Sequence, residues 1–335
     1  MVCSILALVF SRQAANIKVR WVDDEPKAVL AILHKEEAHE QVADADWQKL
    51  FETEGYKRLK DREAGMRRPF TDDSFKTFVS SPDLVAKASG LEKALASWGR
   101  IEVVAMGSKC LKYLPKEAVI KASVFPLIKP ITNSFVWGSQ KDPAIMLYLD
   151  PAESAQAFAV TVTHEFHHIG YASCCPSKKF ESWAKTQSGA RQKAWMWVGA
   201  FGEGYAVLAA AGNREVDPMA TFNQQVKDAW NYGMEHLAED MDKLSAFFMD
   251  TISGKIPAEM VQSHASKFYD VQGPWYTVGY VQATTIERIF GHAKLMDCYR
   301  DPRLLMPTYN AAVARLPKDA KRPPIWSADL IKAFS

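Results

Sequence analysis

The segment Thr163-His164-Glu165-Phe166-His167-His168 sets two histidines four residues apart, with a glutamate directly after the first. On a helix, positions i and i+4 lie one above the other on a single face, so His164 and His168 can present ring nitrogens to one metal ion. Glu165 is turned about 100° away, which directs it to a water on that ion rather than to the ion itself. The neighbours Val160, Val162, Phe166 and Ile169 mark the helix as substantially buried. Two imidazoles and a carboxylate on a buried helix need partners, because each unsatisfied polar group costs roughly 1–3 kcal/mol; one divalent cation satisfies them together. His167, at i+3 from His164, is an alternative ligand. Such a neighbour is more often packed or hydrogen bonded on the helix flank.

A catalytic tetrahedral site takes a third protein ligand and keeps one position open. A metzincin would place a histidine six residues beyond His168, and Cys174 stands there. The stretch Trp195 to Gly212 offers Glu203 instead, between Gly202 and Gly204 in an otherwise apolar helical sequence. A lone carboxylate in such a helix should be paired or bound to metal. Two glycines inside a helix cost roughly 1 kcal/mol each, which points to close approach of another backbone; Ala206 and Ala210 extend the same small face. Glu203 is therefore the expected third ligand. Glu181, in a more polar stretch, is the reserve and reads more simply as a solvated glutamate.

With Zn2+ held by His164, His168 and Glu203, the expected chemistry is hydrolysis. Glu165 takes a proton from water and delivers it to the leaving amine. The oxyanion then needs a further donor. The segment Gly273 to Tyr280 starts a helix at Pro274 and sets Tyr276 and Tyr280 at i, i+4; Tyr276, in the first turn, is the favoured catalytic phenol, and His264 is another candidate. Both tyrosines also read as core residues with satisfied hydroxyls.

These residues resemble the gluzincins, in which the third ligand often sits in a Glu-Gly-aromatic-Ala context, as in Glu203-Gly204-Tyr205-Ala206. The wider set of segments, FETEGYKRLKDREA from Phe51, KPITNSFVWG, DPAIMLYLDP, HEFHHIGYAS, GEGYAVLAAAG and GPWYTVGYVQA, is similar to bacterial zinc-dependent peptidases classified as a domain of unknown function. The resemblance covers most of the chain and implies a zincin-like core, peptidase activity and a peptide or protein substrate. The GxMEN segment that anchors a substrate amino terminus in aminopeptidases is absent, which sets that kind of exopeptidase activity aside.

The elements that must hold these groups are mainly helical. Ala28 to Leu33, Trp47 to Tyr56 and Leu84 to Trp98 carry apolar residues at helical spacing. Val119–Val124, Ser134–Trp137 and Ile145–Leu149 are β-branched or aromatic runs that read as strands. Asp150-Pro151 then signals a helix from Pro151 to about Ile169, ending near Gly170. By fold analogy, strand Ile145–Leu149 could pair with an extended peptide. Further helices are expected over Trp183–Gly212, Phe222–Met249 and Pro274–Gly291, followed by a Pro-rich surface tail. The fold class is thus α+β, predominantly α-helical, with a small sheet beside the metal helix. Its organisation reads as residues 1–16 signal-like, 17–117 a helical N-terminal region, 118–212 the metal-binding core and 213–335 a helical region completing it.

Composition sets bounds on partners. The 41 Lys and Arg against 39 Asp and Glu give a net charge of +2, which implies no nucleic-acid partner. No apolar run reaches the roughly 20 residues of a membrane span. Ser4–Phe10 reads as the remnant of a secretory segment, or as an N-terminal strand or helix start packed on the core. The five cysteines show no CxxC spacing, and Cys174-Cys175, strained if bridged, read as buried free thiols; one long-range bridge stays open. Two other functions fit the same site: hydrolysis of a non-peptide amide or ester, and zinc binding without catalysis. Glu165 argues against the last, since a structural site needs no base.

Overall fold

In the computed structural model, residues 16–138 and 142–335 are described; the apolar run Ser4–Phe10 lies outside them. The fold is α+β and predominantly helical, with one four-stranded sheet. The chain divides into two compact units, one of residues 1–106 and 120–165, the other of residues 107–119 and 166–335.

The first unit carries the sheet. Strand β1 (Ile17–Trp21) opens it and is followed by α1 (Asp24–Glu37), α2 (Asp44–Phe51), α3 (Glu54–Gly65), α4 (Asp72–Val79), α5 (Pro82–Val85), α6 (Ala88–Trp98) and α7 (Val103–Leu111), the last continuing into the second unit. β1 is a strand that the helical reading of 17–117 left out. Its IKVRW pattern alternates apolar and cationic residues, which is the half-buried strand signal. The run from Trp47 to Tyr56 is two helices, because Thr53 Oγ1 accepts from Tyr56 N and starts a new one.

The sheet order is β1-β2-β4-β3, with β2 (Ile120–Leu127), β3 (Phe135–Trp137) and β4 (Ala144–Tyr148). β2 lies parallel to both β1 and β4, and β3 lies antiparallel to β4. β2 and β4 are buried almost throughout, as parallel strands covered on both faces are. Pro126 is tolerated in β2 because the ladder to β1 ends at Val124, so no donor is needed on that side. β4 is paired on both sides, so the strand expected from sequence to be a peptide-binding edge is interior; β3 is the edge.

Helix α8 (Ala155–Ala172) follows the sheet and carries the HExxH segment. It starts four residues later than Asp150-Pro151 suggested. Asp150 Oδ1 accepts from Ala152 N and folds a turn, and Ser154 Oγ then accepts from Ala157 N as the cap. Gly170 is buried within the helix rather than ending it. In the first unit, Phe158 anchors α8 between Trp98, stacked at 4.1 Å, and Trp21, edge-on at 5.9 Å.

The second unit is a helical bundle. It comprises α9 (Lys178–Ala184), α10 (Gly189–Val198), a 3₁₀ turn (Gly199–Phe201), α11 (Gly202–Ala211), α12 (Gln224–Glu235), α13 (Leu237–Ile252), α14 (Val261–Ser266), α15 (Pro274–Phe290), α16 (His292–Arg300), α17 (Leu305–Ala314) and α18 (Ala328–Phe334). The single helix expected over Trp183–Gly212 is broken at Thr186–Ser188 and again at the Gly199–Phe201 turn. The Pro-rich tail is core rather than surface: Tyr309, Trp326 and Leu330 are buried. Pro307 sits in the first turn of α17, where its missing N–H costs nothing. Asn310 clamps the tail, accepting from Trp326 N at 3.0 Å and donating to Trp326 O at 2.7 Å.

The tightest joint of this unit is α11 on α15. A Cβ built on Gly204 would lie 1.9 Å from Tyr280 N, and one on Gly279 would lie 2.5 Å from Phe201 O. The close backbone approach read from the two glycines therefore belongs to Gly204. Gly202 has nothing within 4 Å of such a Cβ. Gly204→Ala must push the helices apart and should lower stability by about 3 kcal/mol. Gly202→Ala gains helix propensity and should raise it by up to about 1 kcal/mol. Urea unfolding midpoints of the two variants check the contrast.

Candidate metal centre

His164 and His168 occupy successive turns of α8, and both are half-buried. Glu203 stands in the first turn of α11, directly after the 3₁₀ turn. The partial positive charge of a helix N-terminus favours a carboxylate there. One ligand atom from each of His164, His168 and Glu203 lies within 4.8 Å of the others, and His168 Nε2 is 3.1 Å from Glu203 Oε2. Ligand distances of about 2.0–2.2 Å place two donors of a tetrahedral ion roughly 3.4 Å apart, so this donor set fits a small divalent cation. Two imidazoles with one carboxylate suit zinc by hardness as well as by spacing.

Glu165 is half-buried on the same helix, one residue on from His164. The cluster includes neither His167 nor Glu181. His167 is fully buried, its ring 6.1 Å from Tyr171 and edge-on to Tyr299 at 5.9 Å, a packing role on the helix flank. Glu181 is exposed on α9. Tyr205, next in sequence after Gly204, stacks on Tyr299 at 4.3 Å. The same aromatic group thus supports both ligand-bearing helices within the second unit.

Of the two tyrosines of α15, Tyr276 is half-buried in the first turn, its ring 6.4 Å from that of Tyr269. Tyr280 points elsewhere: it is buried against Trp230 and lines a cavity of about 350 Å³ with Arg214, Arg288 and Lys321. His264 is half-buried on α14, outside the cluster. Tyr269 was missed by sequence reasoning. Its phenol is pushed up to about 12 by burial and by the negative charge of Glu203. It lies in an irregular loop before α15, where Asp270 and Gln272 take positive φ, and no helical or strand period marks such a position.

Residues 47–318 match the family described as "Putative zinc dependent peptidase (DUF5700)". The chain belongs to that family. The comparison with curated proteins and that with solved structures give no match. The family description is one of zinc dependence, and the His-His-Glu cluster could hold a metal ion. Among the described residues no helix is long and apolar enough to cross a membrane.

A second carboxyl lies farther up the same helix face. Glu153 Oε1 is 3.3 Å from Thr161 Oγ1, one turn before His164. Burial, aided by the charge of Asp150, pushes the Glu153 carboxyl up to about 7 against the Thr161 hydrogen bond. A folded-state value above the unfolded one near 4.5 means that this group favours folding of the protonated form. That share of stability is present below pH 4.5 and is lost as pH rises to about 7. Glu153→Gln should therefore be more stable than the parent by on the order of 2 kcal/mol at pH 8, with the difference shrinking toward pH 4. Thermal or denaturant unfolding at the two pH values checks the sign.

Proposed function

We propose that the chain is a zinc metallopeptidase of the gluzincin type, with His164, His168 and Glu203 as zinc ligands and Glu165 as the general base. The observation that carries this reading is the convergence of two imidazoles and a carboxylate, from two helices, within 4.8 Å. The family description supports the peptidase part. When bound, the ion supplies Lewis-acid polarisation of a scissile carbonyl and makes water more acidic.

The side chains divide the remaining work. Glu165, adjacent to His164 but outside the ligand set, accepts the proton of the attacking water on a carboxylate oxygen. It then returns that proton to the departing amine nitrogen. His164 and His168 are held one turn apart by the helix, so neither has to reorganise to bind. Glu203 is fixed by the backbone approach at Gly204, one residue on. Tyr276 donates its phenolic proton to the developing oxyanion, and the phenol of Tyr269, kept protonated by burial and Glu203, packs beside it. An extended substrate can add to β3, the edge of the sheet next to β4.

The test is metal content together with cleavage of a peptide library. His164→Ala and Glu203→Gln should lose zinc and activity together, and chelation of the parent should be reversed by added zinc. Glu165→Gln should keep zinc and lose about 10²–10⁴-fold in cleavage rate. Undiminished cleavage by the Glu165 variant would remove the base from the mechanism. A parent protein that holds zinc but cleaves no peptide in the library would overturn the peptidase reading.

A further inference from the structure

The two cysteines directly after the metal helix have a geometry that the peptidase reading does not use. Cys174 N and Cys175 N both donate to Tyr171 O, at 3.1 and 2.7 Å, and this turn brings the two sulfurs to 3.6 Å. Cys175 is buried and Cys174 is half-buried, its Sγ 3.6 Å from Gly170 O. Among the described residues, Cys110 and Cys298 are buried thiols with no second sulfur in reach. The pair is therefore one accessible thiol backed by one shielded thiol.

We propose that Cys174 and Cys175 form a redox-active dithiol that a hydroperoxide closes to a disulfide. The Cys174 thiolate attacks the terminal oxygen of the hydroperoxide, breaking the O–O bond and leaving Cys174 as a sulfenic acid and the co-product as hydroxide or alkoxide. The Cys175 sulfur then attacks the Cys174 sulfur. The S–O bond breaks, the S–S bond forms, and water leaves with the Cys175 proton. The pair loses two electrons and two protons, and the hydroperoxide is reduced.

The surroundings suit this division of labour. The hydrogen bond from Cys175 lowers the Cys174 thiol, while the same bond and burial push Cys175 up. Arg300, paired with Glu117 at 2.8 and 3.0 Å, adds positive potential that favours the Cys174 thiolate. A bridge between sequence neighbours closes a strained ring, and strained bridges are the readily reduced ones, so the change is reversible by a thiol reductant.

The test uses the reduced full-length chain. After hydrogen peroxide and thiol blocking, the peptide carrying both cysteines should lose two hydrogens and escape alkylation, and dithiothreitol should restore both thiols. Cys175→Ser should stop at a sulfenic acid on Cys174 that dimedone captures, and Cys174→Ser should resist oxidation at this peptide. A second measurement needs no variant: phenylarsine oxide, which bridges two neighbouring thiols, should protect both from alkylation in the native protein. Overoxidation of Cys174 to sulfinic acid with Cys175 still free, or oxidation at Cys110 or Cys298 first, overturns the proposal. So does alkylation of either thiol of the pair in the presence of the arsenical.

Discussion

The backbone contact of Gly204 with Gly279 and Tyr280 is the constraint on which the site depends. A residue with any side chain at either glycine would hold α11 and α15 apart. Glu203 is one residue from that contact, so its Cα is set by backbone against backbone, which is stiffer than any arrangement of side chains. The 3₁₀ turn Gly199–Phe201 ends α10 immediately before it, giving Glu203 the first turn of a new helix rather than the middle of a long one. The carboxylate thereby gains the helix N-terminus as a favourable electrostatic environment while its neighbours Tyr205, Ala206 and Leu208 are buried.

Around this joint, apolar packing and polar groups are sorted by helix face. On α8, Phe166 and Ile169 pack inward with His167, while His164, Glu165 and His168 keep partial exposure. Tyr171, Tyr205 and Tyr299 form an aromatic group that meets both the imidazole of His167 and the segment after Glu203. Aromatic rings suit this task because they fill space between helices without adding charge beside a metal-binding triad. Tyr269 is the exception, a phenol near enough to Glu203 to feel its charge.

Much of this was legible in the sequence, and the failures have physical causes. The i, i+4 pair was readable because helix geometry alone fixes it. Glu203 was readable because a carboxylate among alanines and glycines needs a cation or a hydrogen-bond donor to offset its burial. The glycine argument identified a real helix crossing, although only one of the two glycines takes part. The start of α8 was misplaced because Asp-Pro serves turns and helix caps equally well, and Ser154 supplied the actual cap. The tail was misread because its prolines suggested surface, whereas Asn310, hydrogen bonded to both backbone groups of Trp326, draws it into the core. β1 was overlooked in a region dominated by helical periods, though five alternating residues announced it. Which strand is the edge depends on non-local pairing, and no local pattern encodes that.

The placement of Trp326 also bears on how the chain is assembled. The second unit combines residues 107–119 with residues 166–335, and its interior includes Trp326, Leu330 and Phe334. The first unit has all its residues once Glu165 has been made. During vectorial synthesis the sheet-bearing unit can close early, whereas residues 107–119 must wait for the last helix before their own unit is complete. The glutamate ligand proposed here matures in the later of the two folding events, so a ribosome-stalled chain would carry its histidine pair well before it could hold an ion with all three groups.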